Sequence, residues 1–134
     1  MRQQNERGAV AAEFALLLPV LLTILFGIIE FGMIMYGREV VTNASREGAR
    51  AGIIQRTPPL TAGEITTVAT NYLTGTGINP AQVTIAVPAS GGGTGTPVTV
   101  TATYNYPWLI PYIPTMLQLP APLPIAMSTT MLHE

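Results

Sequence analysis

The side chains able to act as acids, bases or metal ligands are few and unevenly placed along this chain of 134 residues. Eleven of its 13 formal charges lie at or before Arg56, and the chain contains no Cys. Beyond Arg56 the chain offers only Glu64, His133 and Glu134, and the last two lie at a chain end that we expect to be mobile. General acid–base catalysis, nucleophilic triads and carboxylate metal sites need several such groups that converge. We therefore expect no enzymatic activity, no metal and no cofactor.

The charge balance also argues against nucleic-acid binding. Six dispersed Arg against seven Glu give a net charge of −1. Binding independent of base sequence needs a basic field that neutralises several phosphates. We expect no nucleic-acid partner and no small-molecule substrate.

An uncharged run, residues 14–29, dominates the N-terminal part, and its apolar character continues past Glu30 to Gly37. With the apolar residues on either side, the run is long enough to cross a bilayer as a tilted helix. A secretory signal peptide is disfavoured, because the nearest small-x-small cleavage triplet, 49–51, lies far beyond the end of the run. We expect residues 9–37 to be retained as a membrane-spanning helix.

A short motif precedes the apolar run: Gly8 is followed by four residues and then by Glu13 and Phe14. This arrangement resembles the processing site of Flp-type (type IVb, Tad system) prepilins, which a membrane aspartyl prepilin peptidase cuts after the Gly. The resemblance implies that the leader, residues 1–8, is removed between Gly8 and Ala9. The hydrophobic helix then stays on the mature chain.

Glu13 needs a partner if this part of the helix lies in a dry environment. A charged side chain near the bilayer centre costs about 2.5 kcal/mol or more, and a buried charge requires an opposite charge nearby. The new α-amine of Ala9 on a neighbouring subunit is one such partner, in which case Glu13 sets the axial register between subunits. The alternative is that Glu13 and Glu30 only mark the two edges of the membrane.

A second motif lies beyond the bilayer, where helical spacing continues and predicts a helix from Ala9 to about Gln55. Residues 41–50, Val-Thr-Asn-Ala-Ser-Arg-Glu-Gly-Ala-Arg, resemble the signature that follows the membrane helix in TadE-like proteins, the minor pilins of the Tad system. Pro19 lies inside the predicted helix and should kink or loosen it.

Small residues recur on one side of this helix, since Ala44, Gly48 and Gly52 lie at i, i+4 and i+8. We interpret them as a packing ridge that allows another backbone to approach closely. The alternative is a helix with costly glycines and no partner. Glu47 and Arg50, at i and i+3, should form a solvated ion pair.

Residues 57–134 are predicted to form a small α+β domain. Thr61 and Glu64 have the spacing of a capping box, and apolar residues at helical spacing predict an amphipathic helix over 61–73. Because so short a region makes a thin core, we expect it to pack against the helix over 41–54.

Period-two alternation predicts three strands, over 83–87, 98–106 and 124–132. In the second, half-buried strand, one face carries the apolar set Val98, Val100, Ala102, Tyr104 and Tyr106. The connector 88–97, with four Gly, is too long and flexible for a tight hairpin turn. A long helix followed by a helix and a three-stranded antiparallel sheet resembles the pilin architecture.

The segment 107–124 contains six Pro, no charge and many apolar residues, including Trp108 and Tyr112. We expect a structureless loop, which in a small domain indicates function or disorder. Three roles are open for its apolar groups: covering the sheet edge, contacting a neighbouring subunit, or resting at the membrane surface, where Trp and Tyr are favoured.

The predicted domain order is a leader (1–8), a membrane and filament-core helix (9–37), its continuation outside the membrane (38–56) and the α+β domain (57–134). The resemblance implies a minor pilin-like structural subunit of a Flp/Tad-type pilus, serving pilus biogenesis and adhesion. It also implies the prepilin peptidase, the pilus assembly platform and other pilin subunits or copies of the chain as partners. The lipid bilayer surrounds the helix before assembly.

The expected location is the bacterial inner membrane, crossed once, with the N-terminus cytoplasmic and the α+β domain outside the cytoplasm, or in an extracellular pilus after assembly. Counting Arg on each side of the span gives the opposite orientation, but the prepilin site requires a cytoplasmic leader. The alternative function is a bitopic inner-membrane anchor subunit of another cell-envelope or secretion complex, in which the first motif arises by chance.

Overall fold

The structure, a computed structural model, describes the backbone of residues 2–90 and 94–133, and the side chains of these residues except 2–7, 9 and 89. Within these ranges the chain forms three α-helices, a short 3₁₀ turn and three β-strands. In chain order they are α1 (Arg2–Gly52), α2 (Ala62–Tyr72), the 3₁₀ turn (Pro80–Gln82), β1 (Val83–Ala89), β2 (Pro97–Tyr106), α3 (Tyr112–Leu117) and β3 (Leu123–Leu132). The predicted α+β architecture is confirmed.

Two compact units divide the chain, Met1–Met33 and Ile34–Glu134. The first unit consists of the N-terminal part of α1. The second, called the head unit below, combines residues 34–52 of α1 with the other helices and the sheet.

Helix α1 is 51 residues long and includes Pro19 without interruption. Among the described residues it is the one helix long and apolar enough to cross a membrane. A helix suits that environment because it satisfies its backbone hydrogen bonds internally. The helix begins at Arg2, earlier than the predicted Ala9, and ends at Gly52 rather than near Gln55. The early end reflects the low helix propensity of Gly.

Helix α2 begins with the predicted capping box. Thr61 Oγ1 accepts a hydrogen bond from the Glu64 N–H (3.3 Å), and Glu64 Oε2 accepts one from the Thr61 N–H (2.8 Å). The backbone hydrogen bond from Thr61, followed by that from its hydroxyl, lowers the pKa of the Glu64 carboxyl. The buried residues of this helix and its C-cap are Ile65, Ala69 and Leu73.

The sheet has the strand order β1-β2-β3, and both pairs are antiparallel. β2 pairs with β3 along its whole length, from Pro97 opposite Leu132 to Tyr106 opposite Leu123. Alternate residues of β2 are buried, namely Val98, Val100, Ala102, Tyr104 and Tyr106. This alternation confirms the buried face that the period of two predicts. A shift of the pairing register by one residue would instead expose the whole apolar set.

The connector between β1 and β2 is shorter than predicted. β1 continues to Ala89 and β2 begins at Pro97, so both strands extend into the predicted range 88–97. The register of β1 shifts between Ala86 and Ala89. Residues 91–93 of the connector lie outside the described residues.

The sheet packs its buried face against α1 and α2 in two adjoining clusters. The first consists of Val40, Val41, Ala44, Leu73, Ile78, Ala102, Tyr104 and Tyr106, and the second of Ala49, Ile65, Val98 and Val100. A hydrogen bond of 2.7 Å between Ser45 Oγ and Thr129 Oγ1 also joins α1 to β3. The expectation that the α+β region completes its core with the helix over 41–54 is confirmed.

Gly48 and Gly52 allow α1 to approach the sheet closely. A Cβ atom at Gly48 would lie 3.2 Å from Val100 Cγ1, and one at Gly52 would lie 2.7 Å from Val98 Cγ1 and 2.9 Å from Ile65 Cδ1. The small-residue ridge therefore faces β2 and α2 of the same chain.

We expect Gly52→Ala to destabilise the head unit by about 1 to 3 kcal/mol, since the added methyl overpacks the contact with Val98 and Ile65. Gly63→Ala is the matched control, because a Cβ there meets no atom within 4 Å. It should stabilise α2 by up to about 1 kcal/mol. Chemical unfolding of the full-length variants in detergent, followed by circular dichroism, measures both changes. Unchanged stability of Gly52→Ala would contradict the close packing.

The capping box also predicts acid sensitivity of α2. Because the pKa of Glu64 is lower in the folded state, its stabilising effect is fully present above the ordinary pKa of Glu. The effect is lost as the pH falls through the lowered folded-state pKa. Between neutral pH and about pH 3, the protection of the α2 amides, which is their exchange rate relative to the intrinsic rate at the same pH, should therefore fall more in the natural chain than in Glu64→Gln. Equal acid sensitivity of the two chains would show that protonation of the Glu64 carboxyl does not weaken the capping box.

Candidate functional site

The predicted processing motif lies near the N-terminal end of α1. Gly8, Glu13 and Phe14 are exposed, and a Cβ at Gly8 would meet no atom within 4 Å. The backbone of Ala9 is helical, and its side chain lies outside the described residues. Gly weakens a helix by about 1 kcal/mol relative to Ala, so α1 opens more easily beside the Gly8–Ala9 bond.

Glu13 places one carboxylate on an otherwise apolar stretch of helix. Val10 and Leu17, its neighbours at i−3 and i+4, are both exposed apolar residues. Side chains that the structure describes, which exclude those of residues 2–7 and 9, form no ion pair with Glu13. Glu30, in contrast, is buried, with 2% of its surface exposed. Among the described carboxylates of the first unit, Glu13 is therefore the one that is open to a partner from outside the chain.

Between Phe14 and Ile29 the helix exposes large apolar side chains on all sides; 60% of the Phe14 surface is exposed. A shallow apolar groove along this stretch is lined by Phe14, Leu17, Leu18, Val20, Leu21 and Ile24. Pro19 lies beside the groove, and its carbonyl accepts a hydrogen bond from Thr23 Oγ1 at 2.8 Å. A helix that is apolar all round is stable where lipid or other helices surround it.

The second motif, residues 41–50, lies where α1 packs against the sheet. On its outer side Glu47 and Arg50 form the predicted ion pair, with Arg50 Nε donating to Glu47 Oε2 at 3.1 Å. The hydrogen bond from the Arg50 guanidinium lowers the pKa of the Glu47 carboxyl. On the inner side Ala44 and Gly48 are buried. Most of this motif is occupied by contacts within the head unit.

The segment 107–124 contains a helix, α3, so the prediction of a structureless loop is wrong. Trp108 packs edge-to-face on Tyr106, with ring centroids 6.1 Å apart, and its Nε1–H donates to the Pro120 carbonyl at 2.8 Å. The Leu119 N–H donates to the Pro114 carbonyl at 2.9 Å and closes the end of α3. These contacts order the segment, and nothing in its Pro-rich pattern signals them.

Trp108 and Tyr112, predicted together as interface residues, have different environments. Trp108 packs against the cluster of Tyr104 and Tyr106, so covering the sheet is its role in the fold. Tyr112 is 82% exposed and Met116 is 78% exposed. Leu109, Leu117 and Leu119 are exposed in the same segment. The segment thus has an anchored side and an exposed apolar side.

His133 does not lie in a mobile terminus, contrary to expectation. Its N–H donates to the Thr96 carbonyl (3.0 Å), its carbonyl accepts from the Gly95 N–H (2.8 Å), and only 6% of its surface is exposed. Glu134 lies outside the described residues, and Glu64 is engaged in the capping box. Within the described part of the chain, no three His, Cys, Asp or Glu side chains form a group able to hold a metal.

Two contacts of the head unit were missed at the sequence level. A Cβ at Gly37 would lie 2.9 Å from Tyr104 Cε1, so Gly37 extends the small-residue ridge. Its position two helical turns before Ala44 was an available signal. The Tyr36 hydroxyl donates to the Thr76 carbonyl at 2.6 Å, and no sequence pattern indicates that contact.

Comparison with protein families matches residues 8–50 to TadE-like proteins. The matched range begins at the Gly of the first motif and ends at the last residue of the second, about a third of the chain. The predicted TadE-like resemblance is confirmed over this range. Comparison with curated proteins and with solved structures found no match.

Proposed function

Because residues 8–50 match TadE-like proteins and lie on a helix able to cross a membrane, we propose that this chain is a minor pilin-like subunit of a Flp/Tad-type pilus. The observation that carries the proposal is that the match coincides with α1, including its exposed apolar surface. The folded α+β region after the helix fits a minor subunit, and the proposed role is structural, in pilus biogenesis and adhesion. No reaction is assigned to it.

In this proposal a prepilin peptidase cuts between Gly8 and Ala9. Cleavage removes a leader that contains Arg2, Glu6 and Arg7, and Glu13 becomes the first charged side chain. Gly8 is exposed and has a low helix propensity, and both properties favour access of the peptidase to the Gly8–Ala9 bond. The apolar helix is retained, which is the reverse of secretory processing.

Glu13 then pairs with the new α-amine of Ala9 on a neighbouring subunit. A carboxylate that moves from lipid into a dry helix bundle needs a nearby cation, and the described side chains of this chain supply none. Such a pair favours one axial offset between neighbouring helices. Glu13 would therefore select correctly placed subunits during assembly.

In this proposal, α1 contacts neighbouring subunits through the part that lies in the first unit of the chain. The ridge formed by Ala44, Gly48 and Gly52 is already covered by the head of the same chain. The apolar stretch between Phe14 and Ile29 is open and carries no charge. The filament core in this proposal is built from that stretch.

The proposed location is the bacterial inner membrane, with the N-terminus cytoplasmic and the head unit outside the cytoplasm until extraction into the pilus. The proposed partners are the prepilin peptidase, the assembly platform and other pilin subunits. The orientation rests on the processing motif, because a cytoplasmic leader is needed for its cleavage.

We expect Glu13→Gln to be processed and inserted normally but not incorporated into pili, since the amide cannot form the ion pair that fixes the register. Glu39→Gln is the matched control, as it removes a carboxylate from an exposed part of α1 in the head unit. Immunoblots of membranes and of sheared pili, from a host that carries the complete pilus machinery, measure insertion and incorporation separately. Normal incorporation of Glu13→Gln would remove Glu13 from the proposed mechanism.

A further inference from the structure

The apolar segment between β2 and β3 projects from a defined end of the head unit. Tyr106 pairs with Leu123, so the residues between them leave and re-enter the sheet at this end. Ile34, the first residue of the head unit, packs like Trp108 against the cluster that contains Tyr106, and a Cβ at Gly37 would lie 2.9 Å from Tyr104 Cε1 in the same strand. The segment therefore emerges beside the point where α1 enters the head.

The opposite end of the head carries the connector between β1 and β2. Val98, near that connector, contacts the position of Gly52, which lies about four helical turns, roughly 22 Å, along α1 from Gly37. Residues 90–96 of the connector, Ser-Gly-Gly-Gly-Thr-Gly-Thr, contain no large apolar side chain. Of the two connections between neighbouring strands, only the one at the end near Ile34 therefore carries large apolar side chains, although Ile54 and Leu132 are exposed at the opposite end.

The covalent chain limits how far that end can lie from the uncharged run 14–29. Only residues 30–33 separate Ile34 from this run. Even a fully extended chain spans at most about 18 Å over five residue steps. If the run 14–29 lies in the bilayer, Ile34 therefore lies within about 18 Å of the last residue of the run.

The chemistry of the segment fits a lipid surface rather than water. From Pro107 to Leu132 there is no charged residue. Its exposed side chains include Leu109, Tyr112, Met116, Leu117 and Leu119, which are large and apolar or aromatic, beside the uncharged polar Thr115 and Gln118. Amphipathic rings such as Tyr and Trp are favoured at the headgroup level, and apolar side chains enter the boundary beneath it.

We propose that residues 108–119, called the surface anchor below, insert into the headgroup–acyl boundary of the bilayer that α1 crosses. Trp108 and its hydrogen bond to Pro120 fix the anchor to the sheet, and Tyr112, Met116 and Leu117 enter the lipid. Because the anchor lacks charge, it binds neutral phospholipid, without anionic lipid and independently of salt. The anchor holds the head against the membrane until the subunit is extracted. This inference rests on the membrane-spanning part of the proposed function and not on processing.

The unmodified full-length chain supplies the first test, because Trp108 is its one Trp. The chain is reconstituted into phosphatidylcholine vesicles and flotation establishes that it is membrane-bound. Vesicles with bromine near the top of the acyl chains should then quench Trp108 emission more than vesicles with bromine near the chain ends. The quenching should not change with added salt or with phosphatidylglycerol.

A single-cysteine probe resolves the exposed side of the anchor, because the natural chain contains no Cys. Met116→Cys and Thr94→Cys, at opposite ends of the head and both exposed, are labelled with the same environment-sensitive fluorophore. The probe at 116 should shift to the blue and lose most of its emission in brominated vesicles. The probe at 94 should do neither.

The possible outcomes distinguish failure of the surface anchor from failure of the membrane-spanning helix. A blue shift at 116 without quenching by brominated lipid would mean that a second protein copy covers the segment, and would overturn the anchor. A probe at 116 that behaves like the probe at 94 would overturn it as well, while α1 still spans the membrane. Failure of the chain to float with vesicles would overturn the membrane-spanning helix and the anchor together.

Discussion

The apolar surface of α1 between Val10 and Ile29 is the constraint on which the rest of the structure depends. Removing apolar surface from water stabilises a protein by about 25 cal/mol per Å². This stretch leaves nearly all of its large side chains uncovered. In the proposed function, lipid covers them before assembly and neighbouring helices cover them afterwards. The proposed roles of Gly8 and Glu13 depend on their position at the N-terminal edge of this surface.

The C-terminal part of the same helix contributes to the core of the head unit. An α+β region of this size buries little surface alone, and it completes its core on Val41, Ala44 and Ala49. Gly48 and Gly52 let β2 approach the helix backbone, so the helix residues of the head unit cannot be removed without opening the core. One continuous helix therefore carries both the apolar span and a large part of the head's packing surface.

Local patterns in the sequence were sufficient to predict the first two helices, the capping box, the three strands and the buried face of β2. Each of these depends on spacing within a few residues. The order in the segment after Tyr106 was not predictable, because it depends on Trp108 reaching Pro120 and on packing against Tyr106. The surface that packs against the small-residue ridge was not predictable either. The spacing of the small residues shows that another backbone can approach closely, but it does not show which surface does so.

A subunit of the proposed kind loses its leader and keeps its apolar helix. The intact mass and N-terminal sequence of the natural protein, purified from membranes of its host, test this directly. The predicted result is a chain that begins at Ala9. A membrane-bound chain that still begins at Met1 or Arg2, or a water-soluble chain that begins after Glu30, would contradict it.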